Sequence, residues 1–270
     1  MKSALSILLM IAALAGRAHA AAVEPLADGE QLVYGVSWAI VPGAGRITVT
    51  AHSSIDSEGR PFLRVVTETE TRGLARVLLP FSARAESLYD ATSGRLVWFG
   101  ESSSTRGKDA NHSIDFDYQH NTAEYTDSEH PDDPRTLPLP PPGEPSDLIN
   151  CLLLARHWNL VPGQSRDVLV FFEDDFYPLT IHALRYETVD TGMGAGRALL
   201  LEPRMEKVPP KGMFKRGSTV KVWIGQDARH LPLQFEVQFK VGAGLATLNA
   251  YHPGVAAAGE KPAPAPADQK

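Results

Sequence analysis

The stretch VWIGQDARHLPLQFEVQF, Val222 to Phe239, brings Asp227, Arg229 and His230 together within four residues, between two apolar runs. A carboxylate, a guanidinium and an imidazole are the residue types that acid–base hydrolysis uses. One reading is therefore a hydrolase acting through Asp227, Arg229 or His230. The competing reading is structural. Gly225-Gln226-Asp227 has the composition of a tight turn, in which an Asp bonds the backbone two residues on, and Pro232 suits the opening of an edge strand. The corner is the stronger reading, with the triplet as architecture.

Other chemistries find less. Downstream of the first twenty residues the histidines are scattered: His52, His112, His120, His130, His157, His182, His230 and His252. None forms an HExxH or a closely spaced pair, so no zinc site is signalled. Glu173-Asp174-Asp175 reads as a hairpin tip, and Asp127 to Asp133 as a solvated loop. Neither has the twelve-residue calcium pattern. There is no G-x-S-x-G elbow. The single cysteine, Cys151, falls on an apolar helical face, where a thiol is inert. The glycines of GMGAG, Gly192 to Gly196, precede a strand rather than a helix, which fails the dinucleotide fingerprint and fits a hairpin loop. The sequence predicts no catalytic residue, no metal and no cofactor.

The elements that would position these residues are mostly strands. Leu32, Tyr34, Val36, Trp38 and Ile40 are apolar at every second position, as are Leu231, Leu233, Phe235, Val237, Phe239 and Val241. Ile47/Val49/Ala51 and Val220/Val222/Ile224 repeat the pattern. Such alternation sets one face on a core and the other in water, the mark of antiparallel sheet. Turn signals at Pro42-Gly43, Glu58-Gly59, Ser93-Gly94, His120-Asn121 and Gln226-Asp227 separate the runs. The fold class is mainly β: a large curved antiparallel sheet of about ten or eleven strands, a half-open or closed barrel, since so many strands must curl or close. One helix, Ser146 to Trp158, carries Leu148, Cys151, Leu152, Ala155 and Trp158 on one face, widened by Ile149 and Leu153. A helix apolar over most of its circumference is buried, here against the concave side of the sheet. GLARVLLP, Gly73 to Pro80, is a short helix or a lip loop. Glu129 to Pro145 is proline-dense and reads as surface polyproline.

The chain has 270 residues and a formal net charge of −6, with no Lys/Arg run, which argues against nucleic-acid partners. MKSALSILLMIAALAGRAHA reads as a signal peptide cut after Ala20, its apolar stretch too short to span a membrane. With no cysteine at the cut there is nothing to acylate, so a lipoprotein is not expected. Removing 20 of 270 residues, Lys2 and Arg17 among them, leaves 250 residues and takes the charge from −6 to −8. The expected organisation is a signal over 1–20, one β domain over 21–252 and a Pro/Ala-rich disordered tail over 253–270. The expected place is the periplasm, with no membrane span after cleavage. One cysteine leaves stability to packing alone.

LVYGVSWAIVPGAG, the FDY at Phe116 to Tyr118, the helix PSDLINCLLLAR, the Pro162-Gly163 pair and VWIGQDARHLPL resemble, in this order, the landmarks of a bacterial envelope family known as domain of unknown function 3108. The resemblance spans Glu30 to about Tyr251 and implies an exported protein of no established activity. The Asp–x–x–Leu-Pro corner is also similar to one in the periplasmic lipoprotein carriers, whose curved sheet wraps a helix beside an apolar cavity. Two functions compete with the hydrolase. The first is a non-catalytic carrier of a lipid or other amphiphile between sheet and helix, with Trp38, Leu148, Leu152, Trp158, Trp223 and Phe235 as cavity lining. The plain alternative is that these side chains simply fill the core. The second is an assembly or interaction factor that binds an envelope protein or polysaccharide through its proline-rich and acidic loops.

Overall fold

The alternating runs become strands of a single sheet in a computed structural model, which describes residues 25–255 except 40, 142, 212–213, 215–217 and 240–241. The signal segment and the tail beyond 255 lie outside the described residues. In chain order the elements begin with β1 (Gln31–Trp38), β2 (Val41–Ile55), β3 (Pro61–Thr71), α1 (Gly73–Leu78) and β4 (Phe81–Asp90). Next come β5 (Leu96–Thr105), β6 (Lys108–Asp117), β7 (Thr122–Asp127), β8 (Arg135–Pro138) and β9 (Pro145–Asp147). Helix α2 (Leu148–Leu154) follows, continued by a 3-10 turn at Ala155–His157. The last strands are β10 (Ser165–Phe172), β11 (Asp175–Thr191), β12 (Gly194–Arg204), β13 (Thr219–Gly225), β14 (Pro232–Phe239) and β15 (Gly242–His252).

The spatial order is β8-β7-β6-β5-β4-β3-β2-β1-β15-β14-β13-β12-β11-β10-β9. Every neighbouring pair is antiparallel except β9 and β10, which run parallel. The sheet is not closed: its edges are β8 and β9. The fifteen strands exceed the ten or eleven that periodicity predicts. The extra ones are short or carry a weak pattern, as in KDANHSIDFD of β6. The proline-dense segment is not wholly free polyproline either. Arg135–Pro138 pairs with β7, and Pro145–Asp147 with Leu169–Phe171 of β10. Both are edge strands, where a missing proline N–H is tolerated.

The registers put Val49 opposite Leu32, Val222 opposite Phe235 and Phe235 opposite Ala246. Leu32, Tyr34, Val49, Leu63, Val65, Val222 and Phe235 are buried along that inner face. Its reverse on β3 and β4 carries Arg64, Glu68, Arg84 and Glu86, with Arg64–Glu86 and Arg84–Glu68 paired across the strands. Strand β10 is covered on both sides. Phe171 meets Phe99 (5.9 Å between centroids), Phe116 (6.1 Å) and Tyr125 (6.5 Å) from β5, β6 and β7. Val170, one residue earlier and pointing the other way, is equally buried. The two halves of the sheet thus wrap onto each other across β10.

The helix is shorter than the sequence pattern predicts, because Ser146 and Asp147 are taken up in β9. Asp147 caps its start by accepting the Asn150 N–H at 3.0 Å. Its far end tightens into the 3-10 turn and stops at Asn159, whose φ of +50° is left-handed. Cys151, Leu152 and Leu153 are buried in the core. Segment 73–78 is helical, as one of its two readings has it, and no residue of it is buried. Gly192 to Gly196 lies at the β11–β12 hairpin and Glu173-Asp174 at the β10–β11 tip.

Candidate binding cleft

At the corner between β13 and β14 the Arg229 N–H donates to Asp227 Oδ1 at 3.2 Å, and the Arg229 guanidinium holds Oδ2 at 2.9 Å and 2.6 Å. Burial would raise the Asp227 carboxyl, but the bonds and charge of Arg229 outweigh it and keep it below the usual range. His230 sits at φ +47°, and its Nδ1–H donates to the Arg156 carbonyl at 3.1 Å. The corner therefore docks on the end of the α2 turn. Arg156 in turn donates to Glu30 Oε1 at 2.6 Å and to the Arg229 carbonyl at 3.1 Å. Glu30 also accepts the Ala27 N–H at 2.8 Å and is buried. Beside it the Tyr34 hydroxyl donates to the Pro232 carbonyl at 2.9 Å. Asp227, Arg229 and His230 are thus brought together and engaged as struts.

A second polar group surrounds the start of α2. Asp147 Oδ2 accepts the Ser87 hydroxyl at 2.7 Å, and Tyr89 reaches Ser146 at 3.1 Å. All four are buried. Burial, with Asp147 adding to it, drives the Tyr89 hydroxyl well above its ordinary pKa. The same two causes push the Cys151 thiol up to about 12, which leaves it protonated and unreactive.

Next to this group a cleft of about 300 Å³ opens where β9 and β10 meet the β4–β5 hairpin and α2. Leu154, Trp158, Val168 and Leu169 supply an apolar wall, with Tyr89, Ser146 and Cys151 further along it. Two guanidiniums belong to the same cleft. Arg95 lies over the Tyr118 ring at 5.0 Å and pairs with Glu144 at 2.8 Å. Arg166 lies over the Trp158 ring at 5.1 Å and makes no ion pair among the described residues.

The six cavity candidates do not surround one space. Trp158 lines the cleft. Leu152 and Phe235 are buried, Phe235 against the Tyr34 ring at 4.9 Å, and Leu148 packs on the core at its margin. Trp38 lies at the end of β1, over Gly242 and Gly244, and is 43% exposed. Trp223 stands on the reverse face, where its indole N–H donates to Glu187 at 2.7 Å. The hollow beside Ala155, Leu199 and His230 measures only about 30 Å³. Arg95, Tyr118 and Arg166 gave no sequence signal, because the cleft joins segments far apart in the chain.

The larger trough, about 780 Å³, is polar and lies on the reverse face of β1 to β6, between Arg46, Glu68, Glu70, Arg84, Ser102 and Asn111. Among the described residues no group of three or more His, Cys, Asp or Glu could hold a metal ion. No helix among them is long and apolar enough to cross a membrane.

Comparison with known proteins agrees with this architecture. The sequence model of the family described as Protein of unknown function (DUF3108) matches residues 33–249. A comparison with curated proteins finds no match. Among solved structures, a β-barrel-like protein of a domain of unknown function, DUF1849, from Brucella abortus is similar with a TM-score of 0.51 at 9% identity, over 85% of this chain and 98% of that one. A lipoprotein candidate from Parabacteroides distasonis overlaps more loosely, with a TM-score of 0.35 at 8% identity over 85% and 97% of the two chains. So does an exported-protein candidate with a YmcC-like fold from Bacteroides fragilis, with a TM-score of 0.36 at 10% identity over 86% and 99%.

Proposed function

The chain belongs to the DUF3108 family, and from its geometry we propose that it is a non-catalytic, exported envelope protein that holds an amphiphile in the cleft beside α2. The observation that carries this reading is the pairing of Arg166 with the cleft's apolar wall. A guanidinium with no ion pair among the described residues, placed over the Trp158 ring, stands at a pocket lined by Leu154, Val168 and Leu169. Such a site favours a ligand with an acyl or similar apolar part and an anionic head. The volume, about 300 Å³, lies at the small end of ligand pockets, so a short chain or one end of a longer one would fit. The apolar leader at the N-terminus supports export. The corner residues serve this reading as supports for the far end of α2.

A second reading, a polysaccharide partner, is favoured by the trough on the reverse face. Its charges are largely paired with one another, Arg84 with Glu68 and Glu86, Arg72 with Glu70, which leaves a hydroxyl- and amide-rich floor. Further along β5 from the trough's Ser102, the Trp98 indole lies over Gly100, so closely that a Cβ there would come within 2.4 Å of the ring. An aromatic ring near polar groups is a surface on which a sugar ring stacks.

Native mass spectrometry of protein purified without detergent from an exporting host tests the first reading. The expected result is a reproducible adduct of several hundred daltons that leaves on unfolding. Leu154→Trp, which fills the cleft, should remove it, and Arg166→Glu should weaken it. A clean ligand-free mass would sink the amphiphile reading and leave the trough as the remaining site.

A further inference from the structure

The least expected feature of the molecule is α1. Among the described residues nothing covers its apolar side chains: Leu74 is 73% exposed, Val77 78% and Leu78 75%, and Leu79 follows at 44%. Spaced i, i+3 and i+4, the first three share one helical face, and that face points to solvent.

The helix is nonetheless firmly mounted. The Arg72 N–H donates to the Ala44 carbonyl at 2.8 Å, and the Arg106 N–H to the Pro80 carbonyl at 2.9 Å. The Thr71 hydroxyl donates to the Leu79 carbonyl at 2.9 Å and accepts the Phe81 N–H at 3.0 Å. A clamped base and a bare apolar crown make this a built protrusion. The β1–β2 hairpin that supplies Ala44 brings the exposed Val41 to the same end of the sheet.

The charge around the crown runs against the rest of the chain. Segments 70–80 and 105–109 hold Arg72, Arg76, Arg106 and Lys108 against Glu70 and Asp109, a local +2 in a chain of net −6. No acidic residue lies within α1 itself.

We infer that α1 is a membrane-contact tip, which inserts its crown into the interface of an anionic lipid surface while the flanking cations meet the headgroup phosphates. Three observations choose a lipid over a protein partner. The side chains project rather than line a groove, so they need no shape-matched receptor. Large aliphatic side chains are what an interface takes up. One carboxylate, Glu70, serves both Arg72 and Arg76, so the basic collar keeps its net positive charge, which in an acidic protein complements anionic headgroups. The contact is peripheral, since no helix among the described residues could cross the bilayer. It is independent of the cleft, which lies elsewhere in the fold.

Flotation with vesicles tests it, using phosphatidylcholine with and without phosphatidylglycerol. The protein should float with the anionic vesicles, and Leu74→Asp/Leu78→Asp should lower the bound fraction by about tenfold or more. Arg76→Glu/Arg106→Glu should lose only the preference for anionic lipid. Since no α1 residue is buried, the variants should melt with the parent protein, so a loss of flotation is not a loss of fold. Failure of the parent protein to float, or equal flotation of the aspartate variant, would overturn the inference. So would concentration-dependent self-association that the aspartates abolish, which would make the tip an interface between two copies.

Discussion

Two connections between neighbouring strands, at opposite ends of the sheet, reverse the chain in opposite ways. The link from β13 to β14 is polar by composition, yet it is tied down. Asp227 is held by Arg229, His230 by the Arg156 carbonyl, and Arg156 by buried Glu30. The link from β3 to β4 is apolar by composition, yet Leu74, Val77 and Leu78 stand in water. Side-chain polarity alone would have assigned these two links the other way round. The difference lies in what each one meets. The polar link docks on the end of a buried helix that presents a carbonyl and a guanidinium, whereas the apolar link, among the described residues, rests only on its own base.

The sharpest way to break this comparison is at Arg156. Arg156→Met leaves the buried Glu30 carboxylate without its partner, which should cost about 3–5 kcal/mol in urea denaturation. Adding Glu30→Gln should restore part of it, and no recovery would mean that the pair does not act as a unit. An intermediate case is Glu101, partly buried on the inner face opposite His112 and without a bond partner among the described residues. Burial first, then Glu173 and Asp147, raise its carboxyl above the ordinary value. The folded chain therefore keeps this proton longer than the unfolded chain does. Its contribution to stability is present below the ordinary carboxylate pKa and is lost as pH rises through the raised value. Glu101→Gln should abolish that part of the pH dependence and make the protein more stable at neutral pH. An unchanged pH profile would show that the carboxyl is well solvated. The smallest effect belongs to the lip: Leu74→Asp/Leu78→Asp should shift stability by less than about 0.5 kcal/mol. A larger loss would show that the crown packs on something and that the contrast is false.

Much of the sheet was legible because its inner face alternates over long runs, as in Leu231 to Phe239 and Leu32 to Trp38. The same alternation already separated Trp223 from Val222 and Ile224, so its place on the reverse face follows from the pattern that named the strand. The short edges were hidden, since Arg135–Pro138 and Pro145–Asp147 carry prolines that read as unpaired chain. The helix was overextended at both ends: Ser146 pairs as strand, and Trp158, on the apolar face, follows the 3-10 turn. Of the cleft only Trp158 was named from the sequence. Arg95, Trp158 and Arg166 meet only because the sheet folds across β10, and no local spacing encodes that.

The strand order carries one more consequence. Every hydrogen-bonded pair in the sheet is consecutive in the chain except β1 with β15, and the one consecutive pair left unbonded is β8 and β9. Strands β1 and β15 meet in the middle, where the Val255 N–H also reaches the Asp28 carbonyl at 2.7 Å, and β8 and β9 lie at opposite edges though only six residues separate them. Apart from the parallel β9–β10 pair, joined through α2, the protein is a meander whose ends have been sewn together and which has been cut open elsewhere. Its antiparallel strands can zip in chain order from either side of that central seam, so they need only one pairing between the two ends of the chain, β1 with β15, to register the whole.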